Sequence, residues 1–268
     1  MKKWISAPYL VWMAVFIVVP LLMVAYFAFT NEQGAFTLEY IKNVAGYSDI
    51  FVRSIAMAAI ATIICLLVAY PLAMILSRMD VKAQSMMIMI VMVPMWMNFL
   101  LRTYAWQTIL GNNGILNTIL GYIGLGPYKM LNTQGAVILG MVYNYIPYMI
   151  LPLYSVMVKI DKSVIEAAKD LGCNGAKTWR KVILPLSMPG VISGITMVFV
   201  PAISTFIISR MLGGGSDMLI GDLIEMQFLG TAYNPNLGAA ISFVLMVIVL
   251  IIMAIMNLFG DNDETVLM

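Results

Sequence analysis

Apolar residues along this chain are gathered into six long runs separated by shorter polar segments. Five of the runs contain no Asp, Glu, Lys or Arg, and the third contains only Arg102. A bilayer core about 30 Å thick is crossed by ~20 helical residues, and backbone groups in hydrocarbon must bond within their own segment. The pattern therefore predicts an all-α integral membrane protein with a single domain over 1–268 and spans at 8–29, 54–77, 86–110, 136–158, 186–208 and 237–259.

The composition supports this prediction and excludes several kinds of site. Of the 268 residues, 62% are hydrophobic and 10% are charged, whereas soluble domains are nearer half apolar and a quarter charged. The absence of histidine excludes His-ligated haem, His-based zinc sites and His proton relays. Cys65 and Cys173 lack metal-binding spacing, and the 25 methionines are spread over several spans as apolar filler. We expect neither a metal site nor a catalytic centre.

The distribution of basic residues predicts which way the chain crosses the membrane, since Lys and Arg favour cytoplasmic loops. With the N-terminus inside, the outer loops hold only Lys42, Arg53, Lys129 and Arg210. The inner segments hold Lys2, Lys3, Arg78, Lys82, Lys159, Lys162, Lys169, Lys177, Arg180 and Lys181. Both termini are then cytoplasmic, and the chain is a multi-pass protein of the cell's inner (cytoplasmic) membrane. The bias depends mostly on the loop at 159–181, and an outer position for that loop would invert the topology.

The first half of the loop at 159–185 has the signals of a short helix. Ser163 and Glu166 form an S-x-x-E capping box, and the apolar residues that follow repeat at helical spacing. Gly172 then provides a helix stop, because glycine adopts left-handed backbone readily.

The second half of this loop predicts another helix. Asn174 is placed to cap a helix over 175–182, and Pro185 follows as the opening of the fifth span. The sequence thus predicts a helix–turn–helix outside the membrane, which is rigid enough for a partner protein to push against.

The same loop resembles a motif of ABC importer permeases, the EAA–G–I-x-L-P loop. Glu166-Ala167-Ala168 is followed after three residues by Gly172, and after nine more by Val182-Ile183-Leu184-Pro185, with Val182 where isoleucine is usual. The resemblance implies that Glu166, Ala167, Ala168, Gly172, Leu184 and Pro185 belong to a loop that docks on a separate ATP-hydrolysing subunit. On the residues alone, Glu166 could serve only its cap and Gly172 only the helix stop.

Further segments narrow the resemblance. Those at 100–106, 111–117, 140–154 and 212–224 are similar to segments of spermidine/putrescine importer permeases of the PotB type, and the similarity covers nearly the whole chain. It implies the six-helix type I importer fold and translocation of spermidine or putrescine by alternating access. Because related permeases carry other small solutes on the same fold, an ABC permease for another solute stays open.

The resemblance also implies partners, and what the chain lacks agrees with them. There is no G-x-x-x-x-G-K-[ST] phosphate loop, so ATP and Mg²⁺ are expected on an ATP-binding partner subunit and no cofactor on this chain. A second permease subunit, an extracytoplasmic substrate-binding protein and the lipid bilayer complete the expected partners, with no nucleic acid. The alternative is a stand-alone ion-coupled secondary transporter. Such proteins usually carry an acid within the membrane, but all thirteen acidic residues lie outside the six runs.

Several residues are candidates for the path of a cation. Asp222 and Glu225 are three apart in a segment of helical spacing, so they share a side near the outer mouth. Trp96 and Tyr148 offer aromatic faces for cation–π contacts. The alternatives are a solvated helix face for the carboxylates and a membrane-interface belt for the aromatic residues. Arg102 is expected to extend to the interface, or else to line the path.

Overall fold

The computed structural model describes residues 7–215, 218–230 and 232–264. In this part of the chain the structure is helical, apart from turns, loops and an isolated β-bridge between Thr30 and Phe36. Lys2 and Lys3, which contribute to the predicted topology, lie outside the described residues. The α-helices are α1 (Ala7–Met13), α2 (Val19–Ala28), α3 (Glu39–Val44), α4 (Ser48–Leu76), α5 (Val81–Trp96), α6 (Phe99–Leu110), α7 (Ile115–Tyr122), α8 (Gln134–Met157), α9 (Lys162–Asp170), α10 (Gly175–Thr178), α11 (Leu184–Ile203), α12 (Ile207–Gly213), α13 (Ile220–Leu229) and α14 (Pro235–Glu264).

Five helical segments are long and apolar enough to cross a membrane. They are Pro8–Ala28, Glu39–Leu76, Gln134–Met157, Gly175–Ile203 and Pro235–Met256. A further crossing is supplied by Val81–Trp96 together with Phe99–Tyr122, two segments bent by 88° at a short break. With this bent pair counted as one span, the described residues contain the six spans that the apolar runs predict.

The third span is broken where the sequence predicts one helix over 86–110. α5 ends at Trp96, Met97 is extended, and Asn98 begins α6 by accepting the N–H of Leu100 at 2.8 Å. The apolar content of the segment does not predict this break, since Trp96, Met97 and Phe99 around it are all apolar. The local signal is the preference of asparagine for the position that caps a helix N-terminus.

The helix of the fifth span begins earlier than the predicted run at 186–208. It continues without a break through α10 and α11, so the expected short helix over 175–182 is part of the span. A π-helical segment, Trp179–Ile183, ends two residues before Pro185 within this helix. Proline has no N–H and its ring clashes with the carbonyl four residues earlier in a regular α-helix, and the wider π turn relieves that conflict.

The core is formed by α4, α8 and α11, which pack against one another. α8 and α11 approach closely, since a Cβ added at Gly194 would lie 2.6 Å from the Sδ of Met149. Small residues allow membrane helices to come together in this way. Tyr70 of α4 and Ser187 of α11 add a buried hydrogen bond of 2.9 Å. These three helices form the frame to which the other elements attach.

The first span and α5 lie around this frame with most of their apolar side chains exposed. The first span packs against α14, and α5 has no buried residue. α5 is held by Gln84, which accepts the hydroxyl of Tyr154 at 2.9 Å and donates to the carbonyl of Met79 at 2.9 Å. Exposed apolar faces of this kind contact lipid or other membrane helices.

The two ends of the bundle differ in the segments that join the spans. The elbow, defined as residues 159–185, lies at one end, beside the last turns of α4 and α8. At the opposite end, which we call the far end, α13 contacts α4 near its start through Ser54, and Asn132 bonds to Leu212 at the end of α12.

Candidate functional site

The elbow carries α9 as a capped helix at the surface of the bundle. Its N-cap is Asp161, whose carboxylate accepts the N–H of Ser163 at 2.9 Å. The predicted capping box of Ser163 and Glu166 is therefore wrong, and α9 begins two residues earlier than expected. An ionised carboxylate is favoured at a helix N-terminus, and its hydrogen bonds to Ser163 hold the pKa of Asp161 below its usual range.

One side of α9 is left exposed although it is partly apolar. Ala168 is buried, whereas Val164 is exposed and Leu171 is 86% exposed. Glu166 and Ala167 are exposed as well. The helix therefore offers apolar side chains and a carboxylate to the surroundings of the bundle.

Gly172 turns the chain from α9 back towards the bundle. Its φ of +80° is left-handed, as expected for the predicted helix stop, and a Cβ added there would meet nothing within 4 Å. Asn174 caps the next helix as predicted, by accepting the N–H of Lys177 at 2.9 Å. The turn is thus fixed by backbone conformation and a side-chain cap.

A single helix runs from this turn across the bundle. We call this helix, Gly175–Ile203, the rod; it has 29 residues, which at 1.5 Å per residue is a length of about 43 Å. Leu184 is half-buried and Pro185 is exposed where the rod enters the bundle. Beyond the rod the chain leaves helical conformation and resumes it in α12 at Ile207.

A cavity of about 220 Å³ lies at the end of the rod. Both helix breaks contribute to its wall, the third-span break through Phe99 and the fifth-span break through the residues around Thr205. Tyr145 of α8 closes the wall and donates its hydroxyl to the carbonyl of Pro201 at 3.3 Å. The lining consists of Phe99, Tyr145, Pro201, Ser204, Thr205, Phe206 and Ile207.

Arg102 lies beside this cavity and not at the membrane interface. It is only 6% exposed, so the expectation that its side chain extends to the interface is wrong. The reason is the bend, since α6 turns away from the direction of α5 and carries Arg102 into the bundle. Its guanidinium carbon is 5.8 Å from the centroid of the Phe99 ring. Nε and Nη1 are buried without a hydrogen-bond partner among the described residues.

The two aromatic candidates, Trp96 and Tyr148, lie near this cavity but do not line it. Trp96 is the last residue of α5, directly before the break, and is 74% exposed. Tyr148 is partly exposed one helical turn beyond Tyr145, with the ring centroids 6.4 Å apart. Both rings therefore remain open to the outside of the bundle.

α13 lies directly against the fifth-span break from the far end. A Cβ added at Gly221 would be 2.5 Å from the carbonyl oxygens of both Ser204 and Thr205. The N–H of Ile220 donates to the Ser54 hydroxyl at 2.9 Å, which ties the start of α13 to α4. The position of α13 is thus fixed by two neighbouring helices.

Asp222 and Glu225 do not form the exposed pair that their spacing suggests. Asp222 is 8% exposed because the first turn of α13 is packed into the bundle, and its carboxylate accepts the N–H of Leu219 at 2.9 Å. Burial raises the pKa of Asp222, although the bond from Leu219 acts in the opposite direction. Glu225 binds Arg210 through both carboxylate oxygens, with 2.9 Å between Oε1 and Nη1.

Sequence alone does not single out Phe99, Tyr145 and Thr205, which line the cavity. Tyr145 lies where an interfacial aromatic belt is equally expected, and Phe99 is one apolar residue among many in the third run. The signals in the sequence are Asn98 and Pro201, because a capping residue and a proline inside apolar runs mark interrupted membrane helices.

Comparison with known proteins identifies the family. The family model described as "binding-protein-dependent transport system inner membrane component" matches residues 70–261, well over half of the chain. The chain belongs to this family. The matched part of the permease includes the elbow, the rod, both helix breaks and α13.

Curated relatives agree with the predicted branch of the family. The permease is 39% identical to the spermidine/putrescine transport system permease protein PotB of Haemophilus influenzae over 88% of this chain and 86% of the relative. It is 36% identical to PotB of Escherichia coli K12, over 88% and 90% of the two chains. The inner membrane ABC transporter permease protein YdcU of the same organism is 28% identical over 87% and 78%. The predicted membership of the PotB-type branch is confirmed.

Solved structures support the predicted fold. The permease matches a chain of a bacterial ABC transporter involved in alginate import with a TM-score of 0.77 and 17% identity, over 97% of this chain and 96% of the other. The same score is found for a bacterial alginate ABC transporter in complex with an alginate pentasaccharide-bound periplasmic protein, over 97% and 94%. At this identity the similarity shows the fold alone, and that fold is the one predicted.

Proposed function

We propose that this permease is the membrane-spanning subunit of an ATP-driven importer that translocates spermidine or putrescine by alternating access. The observation that carries the proposal is the rod, which starts at the elbow and ends at the cavity between the two helix breaks. Movement of the elbow is transmitted along this helix to Ser204 and Thr205. In α11 this helix contains two internal prolines, Pro189 and Pro201, at which membrane helices bend, and such bends are one way in which hinge motions occur.

The partner at the elbow is an ATPase subunit that binds ATP and Mg²⁺. Val164 and Leu171 are exposed apolar residues on a helix outside the bundle. A groove on the partner would bury these side chains, which supplies most of the favourable free energy of docking. With the elbow and both termini in the cytoplasm, the far end with α13 faces the outside.

Two further partners complete the importer, a second permease subunit and an extracytoplasmic substrate-binding protein. The exposed apolar faces of the first span and α5 provide surface for the second permease within the inner membrane. Trp96 and Tyr148 remain open on the outside of the bundle near the cavity, where a neighbouring subunit could complete a shared path. The far-end loops would receive substrate from the binding protein.

Support for a polyamine substrate comes from the named relatives and from the cavity. Phe99 and Tyr145 line a space of about 220 Å³. Because the guanidinium of Arg102 lies over the Phe99 ring, Tyr145 is the candidate for a cation–π contact with the substrate, which contributes about 0.5–2 kcal/mol depending on solvent exposure. Glu225 and Arg210 carry opposite charges at the far end. In this proposal Glu225 attracts the polycation and Arg210 moderates that attraction.

A stand-alone secondary transporter remains the second candidate, because Asp222 is a buried acid close to the fifth-span break. Acids inside a bundle are typical proton or cation sites in such transporters. One carboxylate oxygen of Asp222 accepts the N–H of Leu219 at 2.9 Å, whereas Oδ1 is buried without a hydrogen-bond partner among the described residues. The ATP-driven importer is favoured because the exposed apolar side chains of α9 suit a docking partner, which a stand-alone transporter does not need.

The elbow is tested with a backbone change that touches no neighbour. Gly172→Val introduces a β-branched residue at a φ of +80°, where an added Cβ meets nothing within 4 Å, so only the turn is strained. The variant should retain much less ATPase during purification. Gly175→Ala, also without neighbours within 4 Å, is the matched control. Full retention of ATPase and transport by Gly172→Val would contradict docking at the elbow.

A further inference from the structure

A second and larger cavity, of about 520 Å³, lies between the elbow and the bundle. Its walls come from three places in the chain: the end of α4 with the residues after it, the end of α8, and the inner side of α9. α4 and α8 are membrane-spanning helices, so the cavity lies at the level where their apolar segments give way to polar loops.

The rim of this cavity is basic. Arg78, Lys159, Lys162 and Lys169 line it, together with two carboxylates, Asp161 and Glu166. Asp161 is engaged as the cap of α9, and none of the four basic residues forms an ion pair among the described residues. Four cations and two carboxylates give the lining of the cavity a net charge of +2.

The floor of the cavity is apolar. Met74, Met157, Ile165 and Ile183 line it below the basic rim. A free inorganic anion would use the rim alone, whereas a molecule with a charged head and an acyl chain would use both parts. Basic pockets between membrane helices at the polar boundary are suited to anionic lipid head groups.

We propose that this cavity binds the phosphate-bearing head group of an anionic phospholipid from the leaflet at the elbow end. The lipid phosphate lies among the four basic side chains, and its first acyl segments lie against the apolar floor. Lipid binding at this site is a property beyond the proposed import function. The bound lipid would form part of the contact between the elbow and the bundle.

The lipid and the ATPase would use different sides of α9. Ile165 and Lys169 face the cavity, whereas Val164 and Leu171 do not line it and are exposed. Docking of a protein on Val164 and Leu171 therefore leaves the cavity accessible from the bilayer. The lipid would then support the inner side of the helix on which the ATPase pushes.

The test measures lipid binding to the full chain, purified with its partner subunits, by native mass spectrometry. Phosphatidylglycerol is titrated in detergent against phosphatidylcholine, and inorganic phosphate is added as a competitor in a separate arm. The double variant Arg78→Gln/Lys159→Gln removes two rim charges without altering α9. Lys82→Gln is the matched control, since Lys82 is an exposed basic residue near the same end that does not line the cavity. The charge-preserving double variant Arg78→Lys/Lys159→Arg separates loss of charge from loss of structure.

We expect the double Gln variant to bind phosphatidylglycerol about tenfold more weakly, because each basic residue near a lipid surface contributes appreciably to anionic lipid affinity. Lys82→Gln and the charge-preserving variant should bind as the original chain does, and phosphatidylcholine should bind weakly throughout. Equal binding by the Gln variant, or equal losses in both double variants, would overturn the proposal. Displacement of the lipid by inorganic phosphate would assign the site to a free anion. Loss of ATPase subunits from the Gln variant with lipid binding unchanged would assign the rim to protein docking.

Discussion

Gly221 at the start of α13 lies so close to Ser204 that an added Cβ would be 2.5 Å from its carbonyl oxygen. Ser204 and Thr205 follow the last residue of the rod and line the cavity beside Phe99. The contact joins the far-end helix to the fifth-span break, and backbone oxygens cannot move aside as flexible side chains do. The break and α13 therefore have to move together.

Gly221→Ala should separate α13 from the break. Overpacking of this kind typically destabilises a protein by about 1–3 kcal/mol, and here it should also slow transport, because the break lines the cavity. Gly121→Ala is the matched control, since an added Cβ there meets nothing within 4 Å. The melting temperature of the purified complex and the initial uptake rate are the measurements. Wild-type values for both in Gly221→Ala would show that the contact is not tight in the membrane.

Glu225 and Arg210 should affect uptake in opposite directions. Glu225→Gln leaves the positive charge of Arg210 without its partner and should lower the uptake of a polycation, whereas Arg210→Gln frees the carboxylate and should raise it. The differences should be largest at low substrate and low salt, since charges are screened over about 8 Å at physiological ionic strength. Spermidine uptake is measured across salt concentrations, with a neutral solute as control. Changes of the same sign in both variants would indicate a structural role for the pair.

Asp161 and Ser163 provide a comparison between the observed cap of α9 and the expected one. Asp161→Ala should increase hydrogen exchange in the first turn of α9 and weaken retention of the ATPase, because the carboxylate accepts the Ser163 N–H. Ser163→Ala should have a much smaller effect. Since the pKa of Asp161 is lowered in the folded chain, its cap is present above the ordinary carboxyl pKa and is lost only as the pH falls through the lowered value. Exchange rates that rise equally in both variants would contradict this assignment of the cap.

The buried charge of Arg102 should lower the free energy of unfolding of the isolated chain. Its Nε and Nη1 atoms are buried without partners among the described residues, and burying a charge is costly unless it is paired and hydrogen-bonded. Even a paired buried charge is often replaced by apolar side chains with a gain of about 1–4 kcal/mol. Arg102→Met should therefore raise the melting temperature, whereas Arg102→Lys, which keeps a buried charge, should not. A lower melting temperature for Arg102→Met would mean that the guanidinium has an acceptor in the membrane.

The sequence predicts the parts of this fold that depend on local physical chemistry. Apolar runs of membrane length locate the spans, and a glycine after an amphipathic segment locates the turn at Gly172, since both properties belong to residues close together in the chain. The break after Trp96 is harder to predict, because the last residue of α5, Trp96, and the first residue of α6, Phe99, are both apolar.

Burial of polar residues depends on tertiary packing and could not be predicted in the same way. Asp222 and Glu225 have the same spacing on α13 whether that helix is solvated or packed, and only the approach of Gly221 to Ser204 buries the first turn. Arg102 is similar, since its burial follows from the direction of α6 after the bend. The cavity is lined by residues of α6, α8, α11 and α12 and of the break before α12. No local sequence pattern predicts a lining drawn from such distant parts of the chain.

Separating the two energy sources shows whether ATP hydrolysis drives uptake through the elbow and the rod. The complete importer is reconstituted in vesicles with ATP in the lumen, and labelled spermidine is supplied outside with the binding protein. Uptake should persist when an uncoupler abolishes the proton gradient and should stop when ATP is replaced by a non-hydrolysable analogue. Uptake that collapses with the gradient while ATP remains high would rule out ATP-driven coupling and assign the permease to the ion-coupled class.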